Sequence, residues 1–128
     1  MFMNKCLEVN SLGHLTIGGC DTVDLAREFG TPLYVMDEKT IRENCFMYRD
    51  AINKHYNGKG LPLYASKALN CLEVCRIVKD EGLGIDVVSE GELYTALKAG
   101  FDAKKIHFHG NNKTPHEHNF AIENNAGR

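Results

Sequence analysis

The sequence predicts an α/β fold assembled from parallel βαβ units. Short apolar runs alternate one by one with stretches of helical periodicity, and glycine-bearing loops of a few residues separate them. Two architectures satisfy this rhythm, an open doubly wound sheet and part of a (β/α)8 barrel. A G-x-G-x-x-G turn after the first strand would favour the open sheet, and the chain has none.

The elements can be justified in chain order. Leu7 to Cys20 alternates weakly and is punctuated by Gly13, Gly18 and Gly19, so it reads as short strands and turns. Asp21-Thr22 offers an N-cap, and Val23, Leu25, Ala26 and Phe29 make a short apolar face. Gly30 stops that helix, and Thr31-Pro32 forces an extended exit. Pro32 to Met36 (PLYVM) reads as a first strand of the alternating series. Asp37 caps a helix over Glu38 to Tyr56, where Ile41, Cys45, Tyr48 and Ile52 recur at steps of three and four. Leu61 to Lys67 (LPLYASK) is the next strand. Asn70 caps a helix carrying Leu72, Cys75 and Val78, which Gly82 ends. Gly84 to Val88 (GIDVV) is a strand. Ser89 and Glu92 form a capping-box pattern before a helix faced by Leu93, Ala96 and Leu97 and ended by Gly100. Lys104 to His109 (KKIHFH) is a fourth strand, and Thr114-Pro115 opens a helix to about Glu123.

Bulk properties exclude several function classes. The 128 residues suit one domain, and 43% hydrophobic with 25% charged residues is a globular mix. Fifteen basic against 17 acidic side chains leave no polyanion-binding footprint, so no nucleic-acid partner is expected. No apolar run approaches the roughly 20 residues of a membrane span. The opening MFMNKCLEVN lacks a signal-peptide core. Five cysteines in no disulfide spacing suit a reducing cytoplasm.

In α/β folds of either kind, chemistry gathers where strands end. The candidate ends are Ser66-Lys67-Ala68, Asp86 with Ser89-Glu90-Gly91, and His109-Gly110-Asn111-Asn112-Lys113. Lys67 closes a row formed by Leu61, Leu63 and Ala65, because strand side chains alternate. A lysine desolvated there becomes a neutral amine able to attack carbonyls; the alternative is a lysine that snorkels to water. Asp86 interrupts an apolar strand and needs a partner, either Lys67 or a loop amide. His107 and His109 share a strand face and could suit a metal. His116 and His118 lie two apart on a helix and diverge, no Cys-x-x-Cys accompanies them, and no metal is expected. The Ser89 turn suits either an anion at a helix N-terminus or a simple cap.

Taken together, TPLYV at 31–35, YASKA at 64–68, GLGIDVVSEGELYTAL at 82–97 and FHGNNK at 108–113 resemble the diaminopimelate decarboxylase family. These are pyridoxal 5'-phosphate enzymes of the alanine-racemase-like barrel class. The ordered set carries the resemblance from about Thr31 to Arg128, and FHGNNK after IDVVSEGEL favours this family over the ornithine and arginine decarboxylases. It implies the N-terminal part, about half, of a (β/α)8 TIM barrel at 31–128. Residues 1–30 would form short strands and a helix belonging with a second β-domain, whose C-terminal part is absent.

The resemblance also implies roles. Lys67 would form the internal aldimine with pyridoxal phosphate. Asp86 would lie close to that lysine, and His109 at the next strand end would belong to the cofactor site in an unspecified role. Ser89 and Glu92 would sit near the same pocket. The reaction implied is decarboxylation of meso-2,6-diaminopimelate to L-lysine, with an amino-acid substrate and a homodimer as the full-length assembly. The family's ring-stacking histidine, glycine-rich phosphate loop and ring-nitrogen glutamate would all lie beyond Arg128. A chain so divided is expected to be inactive and, with open edges and an unfilled interior, to aggregate or stay molten. A non-catalytic pyridoxal-phosphate-binding protein and a decarboxylase of the ornithine or arginine type are the alternatives.

Overall fold

The computed structural model describes residues 5–127. The first four residues of the run read above for a signal-peptide core, and Arg128, lie outside them. The chain divides into two units, Met1–Ile41 and Arg42–Arg128.

The first unit holds a three-stranded antiparallel sheet, β1 (Leu7–Val9), β2 (Leu15–Ile17) and β3 (Cys20–Asp21), followed by helix α1 (Thr22–Phe29). Leu7 pairs with Ile17, and Thr16 pairs with both Glu8 and Asp21. Asn10 organises the first turn, its Oδ1 accepting from the amides of Leu12 and His14 at 3.0 Å each. Asp21 is the N-cap of α1, accepting from the Val23 amide at 2.8 Å. Its other oxygen meets Asn10 Nδ2 at 2.6 Å and His14 Nδ1 at 2.9 Å. Burial raises the Asp21 carboxyl, but the bonds from His14, Val23 and Asn10 outweigh it and hold the group down to about 2.

Helix α2 runs from Glu38 to Tyr56, the range expected from its periodicity. Only Cys45 on its apolar face is buried; Tyr48 is exposed. Arg42 reaches Glu81 Oε1 at 2.9 Å and Arg49 donates to the Glu81 carbonyl, tying the second part of α2 to the turn that follows α3 (Leu72–Asp80).

The second unit is built on three parallel strands in sequential order, β4 (Leu63–Ala65), β5 (Gly84–Val87) and β6 (Ile106–Phe108). Helices α3 and α4 (Glu90–Lys98) are the crossovers, and α5 (Pro115–Glu123) follows β6. The sheet has two unlike faces. Ile85, Val87 and Ile106 are fully buried, together with Val78, Cys75, Leu93 and Ala96 of α3 and α4. The alternate positions Leu63, Ala65 and Asp86 remain open or half-open. A sheet covered on one face only, with strands in sequence order, is how a (β/α)8 barrel begins.

Four sequence expectations need correction. Pro32–Met36 forms no strand and pairs with none among the described residues. A strand is made by its neighbour's hydrogen bonds, and an apolar run cannot supply them alone. The parallel sheet therefore has three strands here, not four. Lys67 is not the end of a strand row, because Ser66–Ala68 winds into a 3-10 turn after β4 and breaks the alternation. Asn70 is not the cap of α3; Cys71 holds that position without a side-chain bond, and Asn70 Oδ1 instead accepts from Cys75 Sγ at 3.6 Å.

Candidate active site

Three neighbouring strand ends bring the candidate residues to one edge of the sheet. Register sets Ala65 beside Asp86, and Asp86 beside His107. Lys67 follows two residues after Ala65, in the 3-10 turn, and is exposed. The partial desolvation expected for it is absent here, because the row of Leu61, Leu63 and Ala65 is itself open to water. Its segment is nonetheless held at both ends. Tyr64 donates its hydroxyl to the Leu69 carbonyl at 2.9 Å, spanning the turn, and burial pushes the Tyr64 phenol up. Ser66, 1% exposed, lies 2.8 Å from the Asp86 carbonyl and 2.7 Å from Glu92 Oε2.

Asp86 meets neither partner expected for it. Its Oδ1 lies 2.5 Å from His109 Nδ1, one residue past β6, and no bond joins it to Lys67 among the described residues. A carboxylate only accepts, so Nδ1 carries the hydrogen and Nε2 is left as the imidazole's remaining basic atom. His109 is placed by its own amide, which donates to the Val87 carbonyl at 3.0 Å. The chain then turns sharply at Gly110, whose φ of +148° suits glycine. Lys113 closes that loop by donating to the Phe108 carbonyl at 2.9 Å, its ammonium 4.8 Å from the Phe108 ring centre.

The capping box at Ser89 is half made. Ser89 Oγ accepts from the Glu92 amide at 3.3 Å. The Glu92 carboxylate turns away from the cap and accepts from the Val88 amide at 2.8 Å and from Ser66. The complete box is at Thr114 and Glu117, where each accepts from the other's backbone amide. His107 lies on β6 and His109 one residue past it, and no cluster of three or more His, Cys, Asp or Glu side chains that could hold a metal occurs among the described residues.

The sequence placed Ser66 at a strand end and Asn70 at a helix cap but assigned neither a role in the site. Ser66 has the opposite phase to Lys67 in LPLYASK, so its hydroxyl goes to the helix-covered side, where a polar group needs partners. Asn70 keeps a buried side-chain nitrogen with no partner among the described residues.

A family model described as "Pyridoxal-dependent decarboxylase, pyridoxal binding domain" matches residues 38–127. The chain belongs to this family. Its curated relatives include the diaminopimelate decarboxylases of Bacillus methanolicus, 46% identical over 99% of this chain, and of Staphylococcus aureus (strain COL), 48% identical over 94%. Among solved structures, diaminopimelate decarboxylase of M. jannaschii in complex with L-lysine superposes with a TM-score of 0.85 at 39% identity, covering 99% of this chain. The chain spans 29% and 28% of the two curated relatives' lengths and 30% of that solved chain. As a pyridoxal-dependent decarboxylase domain, the parallel unit is therefore the N-terminal part of a (β/α)8 barrel. No helix among the described residues is long and apolar enough to cross a membrane.

Proposed function

We propose that this chain carries the cofactor-attachment lysine of a pyridoxal-phosphate-dependent decarboxylase acting on meso-2,6-diaminopimelate to give L-lysine. The observation that carries the chemistry is the gathering of Lys67 and the Asp86–His109 pair at adjoining ends of parallel strands. The substrate reading is supported by the names of the relatives at 46% and 48% identity and by the L-lysine bound to the M. jannaschii enzyme.

The residues present fit the cofactor. Lys67 offers an exposed primary amine to an aldehyde, and Asn70, three residues on, holds an amide donor with no acceptor among the described residues. When bound, pyridoxal phosphate supplies the sink for the electron pair left on the substrate carbon as carbon dioxide departs. Lys67 Nζ would hold the cofactor, and as a free amine it could take or give a proton. Asp86 orients His109 and fixes its tautomer, and His109 Nε2 can take or hold a proton at the strand ends.

On this reading Lys67, Asp86 and His109 are the cofactor-site residues, and 1–30 and 31–128 belong to a β-domain and a barrel respectively. The full-length protein works as a homodimer in the cytoplasm on a small amino acid, with neither nucleic acid nor membrane as partner. The near-balanced charge supports the absence of a nucleic-acid partner, and the free cysteines support the cytoplasm. The chain spans under a third of its relatives, so by itself it turns over little or no diaminopimelate. The test is to add pyridoxal phosphate, reduce with borohydride, digest and map the modified peptide. Label concentrated on Lys67 is expected; label spread over other lysines overturns the assignment.

A further inference from the structure

We infer that Glu92 is a positioning residue for Lys67, acting as a clamp that holds the ends of β4 and β5 in one fixed relation. The inference rests on the reading of Lys67 as the cofactor-attachment residue. One carboxylate oxygen, Glu92 Oε2, accepts from the Val88 amide at 2.8 Å, one residue past β5, and from Ser66 Oγ at 2.7 Å, one residue past β4. Ser66 Oγ also lies 2.8 Å from the Asp86 carbonyl, so its single hydrogen is shared between an acceptor on β5 and one on α4. Ser66 and Glu92 are 26 residues apart, and Ser66 immediately precedes Lys67.

This network does what strand pairing cannot. The β4–β5 ladder stops at Ala65 and Asp86. Past that point the chain winds into the 3-10 turn that carries Lys67, and backbone ladder bonds no longer set its direction. The buried Ser66 hydroxyl fixes the first residue of the turn, and the Tyr64–Leu69 bond closes its far side. Glu92 also sits in the first turn of α4, where a carboxylate is favoured by the helix dipole. The clamp is thus anchored on a helix rather than a loop. Charge-assisted bonds of this kind are short and geometrically selective. The backbone at Lys67 is therefore held relative to the ends of β4 and β5 by a residue of α4, through Ser66.

The experiment compares the unaltered chain with Glu92→Gln, Glu92→Ala and Ser66→Ala. Two readouts are taken on each: borohydride-fixed pyridoxal phosphate on Lys67, and hydrogen exchange of the Val88 amide. Gln keeps an acceptor oxygen, so Glu92→Gln should label Lys67 within about twofold of the unaltered chain and keep Val88 protected. Glu92→Ala should expose the Val88 amide, and both Ala variants should lower Lys67 labelling about tenfold, with helix content by circular dichroism unchanged. Undiminished labelling in both Ala variants overturns the inference, as does a loss in Glu92→Gln equal to that in Glu92→Ala. If Glu92→Ala fails to fold, Ser66→Ala and Glu92→Gln decide by the same criteria. Absence of label on Lys67 in the unaltered chain overturns the underlying reading, and the inference with it.

Discussion

Asp86 Oδ1 and His109 Nδ1 lie 2.5 Å apart across the ends of two adjacent parallel strands, 23 residues apart in sequence. The pair converts an isolated acid and an exposed imidazole into one oriented unit. Its chemical consequence is a single tautomer, with hydrogen on Nδ1. Nitrogen-15 shifts of the His109 ring should show that tautomer in the neutral imidazole. Asp86→Asn, whose amide can donate as well as accept, should give a mixture. An unchanged tautomer in the variant would remove Asp86 from its orienting role.

The helix-covered face of the sheet should carry the stability of the parallel unit. Leu93 is fully buried against it. Leu93→Ala should cost about 2–5 kcal/mol, read as a lowered urea midpoint, whereas Tyr34→Ala, at a side chain 98% exposed, should leave the midpoint in place.

Gly84 begins β5 where no side chain fits. A Cβ there would lie 2.7 Å from the Lys105 carbonyl oxygen and 2.5 Å from Leu63 Cδ2. The leucine can rotate but the backbone oxygen cannot, so Gly84→Ala should cost about 1–3 kcal/mol by overpacking. Denaturant titration of the variant checks this.

The N-terminal unit should loosen in acid in a defined window. Asp21 is held down to about 2, below the ordinary carboxylate value of about 3.9. A depressed carboxyl contributes stability that is complete above the unfolded value and lost as pH falls through the folded one. Protection of the Val23 amide, which Asp21 caps, should therefore hold above about pH 4 and disappear toward pH 2. Asp21→Asn should flatten that dependence.

Cysteine reactivity should follow burial. Desolvation, with the nearby Cys71 and Glu92, pushes the Cys75 thiol up to about 11, while Cys20 and Cys71 are exposed. A disulfide reagent near neutral pH should modify Cys20 and Cys71 first and reach Cys75 only after denaturant is added.

The helices were legible from local sequence alone. The three- and four-residue recurrence in α2, the Asp21 and Thr114 caps and the stops at Gly30, Gly82 and Gly100 all came out as read. Each depends on residues within about one turn of each other, so spacing is sufficient. The motif string likewise carried the family.

What the tertiary structure alone decided is who meets whom. Asp86 turned to His109 instead of Lys67 or a loop amide, and Glu92 left its own cap for Ser66 across 26 residues. PLYVM, as apolar as the strands that did pair, found no partner among the described residues. Lys67 rose out of the strand alternation into a 3-10 turn. Hydrogen bonds between distant segments depend on how strands align and where each one ends, and no periodicity in the sequence encodes that alignment.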